Sequence, residues 1–152
     1  MITTNFFQAL YNLSNNAYYT RLDGGSEYFY QNGAYCLSRI YAISNTLPFP
    51  SNTSKLMLGT GTTLPARTDY CLASPVNESL FSVSASSQSQ TADKKIALTQ
   101  TYQYNGSGEI SITEVGLVAN VNGVQFMLAR TLLDNPITVN NGDTFTVSMA
   151  IG

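Results

Sequence analysis

The sequence has no histidine and no tryptophan, only two cysteines, and only 16 charged residues among 152 (7 basic, 9 acidic). Each scarcity excludes something. Without histidine there is no His-based triad, no ordinary zinc site and no side chain that titrates unperturbed near neutral pH. Cys36 and Cys71 stand 35 positions apart, too isolated for a metal cluster, and read as two reduced, mostly buried thiols. Seven lysines and arginines in 152 residues are too few for a basic face, so a phosphate-binding surface for nucleic acid is not expected. No apolar run approaches the ~20 residues that span a bilayer, and no membrane association is expected. The opening "MITTNFFQAL" has neither the basic start nor the apolar core of a signal peptide.

The polar surface is built instead from hydroxyls and amides. Ser, Thr and Asn supply 47 of the 152 residues. Low charge does not mean disorder here, because 43% of the residues are hydrophobic and they are patterned. The length suits one domain, 1–152, large enough to bury about 70% of its unfolded surface. Within it, residues 1–50 read as an aromatic-rich attachment region and 51–152 as a β-sandwich body.

One helix is expected, over 3–14, with Thr3 or Thr4 as cap and Phe6, Ala9, Leu10 and Leu13 at helical spacing. Tyr28–Tyr30, 35–43 and 55–58 read as short strands, and 45–54 as a proline-bearing loop. In the second half, Phe81, Val83 and Ala85 alternate, "SSQSQTADKK" reads as a polar connection, and Ile96, Leu98, Gln100, Tyr102 and Tyr104 form a long alternating strand. Asn122-Gly123 is the preferred two-residue hairpin turn, with positive φ at both positions. Placing Val121 opposite Val124 pairs Ala119 with Phe126, Leu117 with Leu128 and Val115 with Arg130. Upstream the parity breaks, since Ile110 and Ile112 are even and Val115 and Leu117 odd. An extra residue near Thr113-Glu114 restores it as a β-bulge, and the shift offers a Glu114–Arg130 ion pair, with both charges at a solvated sheet margin as the alternative. At the end, Ile137, Val139, Phe145, Val147, Met149 and Ile151 are all odd-numbered, which predicts a hairpin 136–139/144–151 around Asn140–Asp143. Gly123 is expected to be stricter than Gly106, which lies in a longer turn. The fold class that follows is all-β: an antiparallel β-sandwich, jelly-roll-like or Ig-like, with one short N-terminal helix.

Motifs for chemistry are weak. Gly59-Thr60-Gly61 lacks the lysine and helix of a phosphate loop. Asp23–Glu27 holds two carboxylates of a half calcium loop, but reads as a plain turn. No catalytic residue, cofactor or metal is expected. Aromatics are the anomaly: 11 of the 17 Phe and Tyr fall in the first 50 residues. Tyrosine is enriched at interfaces because it buries a large ring and keeps a polar handle. Tyr18, Tyr19, Tyr28, Phe29 and Tyr30 are therefore the candidate interface, with core filling as the alternative.

Two stretches resemble structural proteins of tailed-bacteriophage virions, the head-decoration and fibre-like β-sandwich proteins. One is "LGTGTTLPARTDYCL"; the other is "ITEVGLV" followed by "MLARTLLDNPITVNNGDTFTVSMAI". The resemblance covers roughly residues 55–72 and 110–151. It implies a non-enzymatic virion component, assembled in the cytoplasm of a bacterial host. A capsid decoration or auxiliary head protein is expected first; a tail, collar, baseplate or fibre-adaptor protein second; a carbohydrate-binding module third. The implied partners are the major capsid protein or other virion proteins, and further copies of the chain as a homo-oligomer. In the same pattern Gly59, Gly61, Asp69 and Tyr70 shape a loop, and Glu114, Gly116 and Arg130, with the turn residue Gly123, hold the hairpin.

Overall fold

The computed structural model describes residues 1–11, 17–29 and 53–152. It is mostly β, with antiparallel sheets and one short helix near the N-terminus. The elements are α1 (Thr4–Tyr11), β1 (Ala17–Thr20), β2 (Ser26–Phe29), β3 (Ser54–Gly59), β4 (Phe81–Gln90), β5 (Ile96–Tyr104), β6 (Ile110–Val121), β7 (Val124–Val139) and β8 (Thr144–Ile151). They form a β1-β2 ribbon and two three-stranded sheets, ordered β3-β6-β7 and β4-β5-β8. The strand expected over 35–43, the loop over 45–54 and Cys36 lie outside the described residues; Cys71 is a free thiol.

One hydrophobic cluster draws on both three-stranded sheets. Leu56, Leu58, Ile112, Val115, Leu117 and Leu128 come from one, and Phe81, Leu98, Tyr102, Phe145, Val147 and Met149 from the other. The alternation of β8 is complete: Phe145, Val147, Met149 and Ile151 are buried and the residues between them exposed. At roughly 1.5–3 kcal/mol for each large apolar side chain buried, this cluster is the main source of stability. Phe145 stacks on Tyr102 with ring centroids 5.6 Å apart.

The turn at Asn122-Gly123 has φ of 53° and 87°, and Val121 pairs with Val124 and Ala119 with Phe126. Beyond that the register departs from expectation. Val118 pairs with Met127 but Leu117 with Ala129, so Leu128 is an extra residue on β7. Gly116, rather than Val115, then faces Arg130. The cause is two-sided burial: Val118 and Met127 join Leu72 in a second cluster on the other face of the sheet, so no polar residue marks the phase. The parity break near Glu114 is present as a register shift, but most of the extra chain is on β7. Between the pairs Ile112–Ile137 and Glu114–Leu132, β6 has one residue and β7 has four.

The expected final hairpin does not form. Ile137 and Val139 pair with Ile112 and Ile110 of β6, whereas β8 pairs with β5, from Ile96–Ile151 to Gln103–Thr144. Asn140–Asp143 is thus a crossover between sheets, tied by the Asn140 N–H to Asp143 (2.8 Å) and the Gly142 N–H to the Tyr104 carbonyl (2.7 Å). The polar stretch 86–90 also differs, continuing β4 as a strand paired to Ile96–Gln100. Gly123 has the positive φ expected of it, and Gly106 carries a constraint of a different kind, since an added Cβ would lie 2.6 Å from the Tyr104 ring.

The N-terminal segment docks on β7. The Thr3 N–H donates to the Leu128 carbonyl (3.0 Å), and the Arg130 N–H to the Met1 carbonyl (2.9 Å). The Thr3 carbonyl accepts the first helical N–H groups, while its hydroxyl donates to the Met127 carbonyl (2.7 Å), so the side chain anchors the helix rather than capping it. Asn5 is buried and ties β1 to β7, donating to the carbonyls of Thr20 (2.7 Å) and Met127 (3.2 Å) and accepting the Thr20 N–H (2.8 Å).

A buried ionic clamp as candidate functional site

The loop from Thr60 to Asn77 has no regular structure of its own, and loops of that length need anchors. Its anchor is a charged cluster on the β6–β7 hairpin. Glu114 is fully buried and Arg130 is 2% exposed. The Arg130 guanidinium donates Nε–H to Glu114 Oε2 (2.8 Å), Nη1–H to Asp69 Oδ2 (2.6 Å) and Nη2–H to the Thr63 carbonyl (2.7 Å). One planar fork therefore holds a strand carboxylate, a loop carboxylate and a loop carbonyl together.

Glu114 extends the clamp to the backbone. Its Oε1 accepts the N–H of Gly61 (3.1 Å) and of Ser74 (2.8 Å), and its Oε2 also accepts the N–H of Ala73 (3.1 Å). With Arg130 that makes four donors on two oxygens, the capacity of a carboxylate. No lone pair of Glu114 remains for a ligand, so the chemistry here is cohesion. Gly59 and Gly61 make the space: a Cβ on Gly59 would lie 2.5 Å from Glu114 Oε1, and one on Gly61 would lie 2.7 Å from the Ala73 Cβ and 2.9 Å from the Glu114 carboxyl carbon. Asp69 also accepts the Ala66 N–H (2.8 Å), closing the turn before Tyr70. Gly116 leaves room for Leu72 and Met127, whose side chains a Cβ would meet at 3.0 and 2.8 Å.

Burial alone would push the Glu114 carboxyl up. The N–H of Ser74, the Arg130 side chain and the N–H of Ala73 outweigh it and hold the pKa below its ordinary 4.5. A carboxyl depressed in the folded state contributes stability that is complete above its unfolded pKa and is lost as pH falls towards the folded one. Glu114→Gln is therefore expected to flatten the stability profile below about pH 4.5, measured by urea unfolding at a series of pH values. Parallel profiles for variant and wild type would contradict this.

Four of the five candidate interface residues lie on the β1-β2 ribbon. Tyr18 is 64% exposed, and Tyr19, at 2%, packs on Phe126 with centroids 5.5 Å apart. Tyr28 and Phe29 lie on β2, opposite Tyr18 and Ala17, and Tyr30 lies outside the described residues. Tyr70 is 40% exposed, its ring 3.3 Å from where a Cβ on Gly24 would stand. At Asp23–Glu27 both carboxylates face Arg21, at 2.8 and 3.5 Å, so the turn is held by its own cation. No group of three or more metal-ligating side chains occurs among the described residues.

Sequence reasoning missed several buried polar groups, among them Asn5, Gln100 and Lys55. Gln100 is fully buried; it accepts the Leu56 N–H (2.5 Å) and the Tyr102 hydroxyl (2.8 Å) and donates to Ser86 (3.1 Å), joining β5 to β3. The signal was present, since Gln100 occupies the apolar phase of β5. Lys55 is also buried, and its ammonium contacts Glu78.

Protein-family models, curated proteins and solved structures contain no match to this chain.

Proposed function

We propose that this chain is a non-enzymatic structural component of a tailed-bacteriophage virion, a capsid decoration protein that binds the capsid shell, with its two three-stranded sheets packed as a β-sandwich. The supporting observation is the clamp. The two stretches that resemble virion proteins are far apart in sequence, yet Gly59, Gly61 and Asp69 of the first close around Glu114 and Arg130 of the second. The hydrophobic cluster shared by both sheets supports the sandwich, and a jelly-roll-like or Ig-like arrangement belongs to the same proposal.

Tyr18, at 64% exposed, presents the most accessible ring of the described N-terminal segment, whereas Tyr19 packs on Phe126. The test measures binding of the purified protein to capsids that lack it, with copy number read by quantitative mass spectrometry. A number close to that of the shell protein is expected. Tyr18→Ser should weaken binding by roughly 2 kcal/mol, about 30-fold in Kd, as for an interface tyrosine. Absence of binding by the folded protein, or a copy number of only a few per particle, would overturn the assignment to the head.

A further inference from the structure

The sheet β4-β5-β8 contains no Asp, Glu, Lys or Arg in any of its three strands. The β3-β6-β7 sheet, by contrast, holds Lys55, Glu114, Arg130 and Asp134. Natural sheets protect open edges with lysine, proline or bulges that turn the strand away. β4 is a terminal strand of its sheet, ten residues long. Its bulge lies early, between Val83 and Ala85, leaving the later part regular. Gln88, Ser89 and Gln90 are exposed in succession, as is Ser87, so this stretch is open on both faces. Among the described residues no backbone hydrogen bond reaches the outer side of Ser87–Gln90. A strand of this kind, uncharged and polar on both sides, is a template for another strand.

We propose that β4 pairs, antiparallel and edge to edge, with β4 of a second copy, through a two-fold axis at Gln88. Strand parity decides the register. A two-fold axis normal to the sheet places residues of the same parity opposite one another. Centred on Gln88, it sets Gln88 against Gln88 of the second copy and Ser87 against Ser89 of the second copy. Every opposed pair is a neutral amide or hydroxyl with another, and two glutamine amides can each donate to the other. The neutrality selects the occupant. An isologous contact repeats each residue against its own equivalent, which a charged strand cannot tolerate and this one can. A charged partner finds no complementary group on the three strands, the charges nearest Gln90 in sequence being Asp93, Lys94 and Lys95 in the β4–β5 turn. β8, the other terminal strand, exposes only one of its faces, whereas Ser87–Gln90 are exposed on both, which makes β4 the freer edge among the described residues.

The inference does not depend on the virion reading, and its test uses only purified full-length protein. Sedimentation equilibrium is run up to about 1 mM, so that even a millimolar Kd is detected. The wild type should dimerise. Gln88→Lys and Gln88→Glu each place two like charges across the axis and should raise the dimer Kd about tenfold or more. Gln88 is exposed, so both variants should retain the wild-type melting curve. Mixing the two variants should restore the dimer, because the lysine then meets the glutamate. A wild type that stays monomeric, a Gln88→Lys variant that dimerises as well as wild type, or a mixture that stays monomeric would each overturn the proposal.

Discussion

Replacing Arg130 with Met is expected to lower the free energy of unfolding by about 3–5 kcal/mol, the usual cost of removing one partner from a buried ion pair. At this size that corresponds to a fall in Tm of roughly 6–20 °C. Met preserves much of the volume, so lost packing is a small part of the effect. The loss is electrostatic: Glu114 stays fully buried with its nearest countercharge gone, Asp69 keeps only the Ala66 N–H, and the Thr63 carbonyl loses the guanidinium donor. Arg130→Lys should recover little, since a single ammonium cannot serve three acceptors set around a planar fork. The usual remedy of replacing both members of a buried pair with apolar residues should also fail here. Removing Glu114 orphans the N–H groups of Gly61, Ala73 and Ser74, and each unsatisfied buried donor costs about 1–3 kcal/mol. Guanidinium unfolding of the three variants checks this. An Arg130→Met midpoint within about 1 kcal/mol of wild type would show that the clamp is not a keystone of the fold.

What the sequence made legible depended on whether one face of a strand was polar. β8 alternates Thr or Ser with Phe, Val and Met, so its buried face could be read to the last residue. Its partner could not, because alternation specifies a face and not a neighbour, and the predicted hairpin with 136–139 is replaced by pairing with β5. The Asn122-Gly123 turn was readable because only a few residues accept positive φ, and its register held for as long as no bulge intervened. It slipped at Leu128, where both faces of the hairpin are covered and period two carries no information. β4 was shortened for the opposite reason: Ser and Gln exposed on both faces resemble a loop in composition.

The clamp was partly legible. The parity break in β6 pointed Glu114 towards Arg130, and that pair is present at 2.8 Å. Asp69 entered only through the virion-like pattern of its stretch, because nothing in spacing links residue 69 to residue 130. The aromatic surplus was read too simply. Leu22, packed against the Leu72 cluster, shows that part of the N-terminal segment covers the second face of the β3-β6-β7 sheet, while Tyr19 packs on Phe126, which pairs with Ala119 on the other face. That face is apolar on β6 and β7, so it needs such cover, and the first fifty residues serve the fold as well as any partner.

The companion to Arg130 is Gly61, where adding a side chain should be nearly as damaging as removing one from the clamp. Gly61→Val is expected to cost about 2–6 kcal/mol: about 1–3 from overpacking and a similar amount from displaced hydrogen bonds to the carboxylate. The backbone there cannot step aside. Its N–H donates to Glu114 Oε1 (3.1 Å) and its carbonyl accepts the Thr113 hydroxyl (2.8 Å), so the new Cβ must enter the space held by the Glu114 carboxylate and the Ala73 methyl. The cause is a close approach and not backbone strain, since Gly61 is not among the glycines of positive φ. A double-mutant cycle separates the two. If the clash with the carboxylate dominates, Gly61→Ala should cost at least about 1 kcal/mol less in a Glu114→Ala background than in wild type, a coupling within the usual range for residues in contact. Equal costs in both backgrounds would mean that Gly61 is required for some other reason, and that the glycines of this loop are not there to admit Glu114.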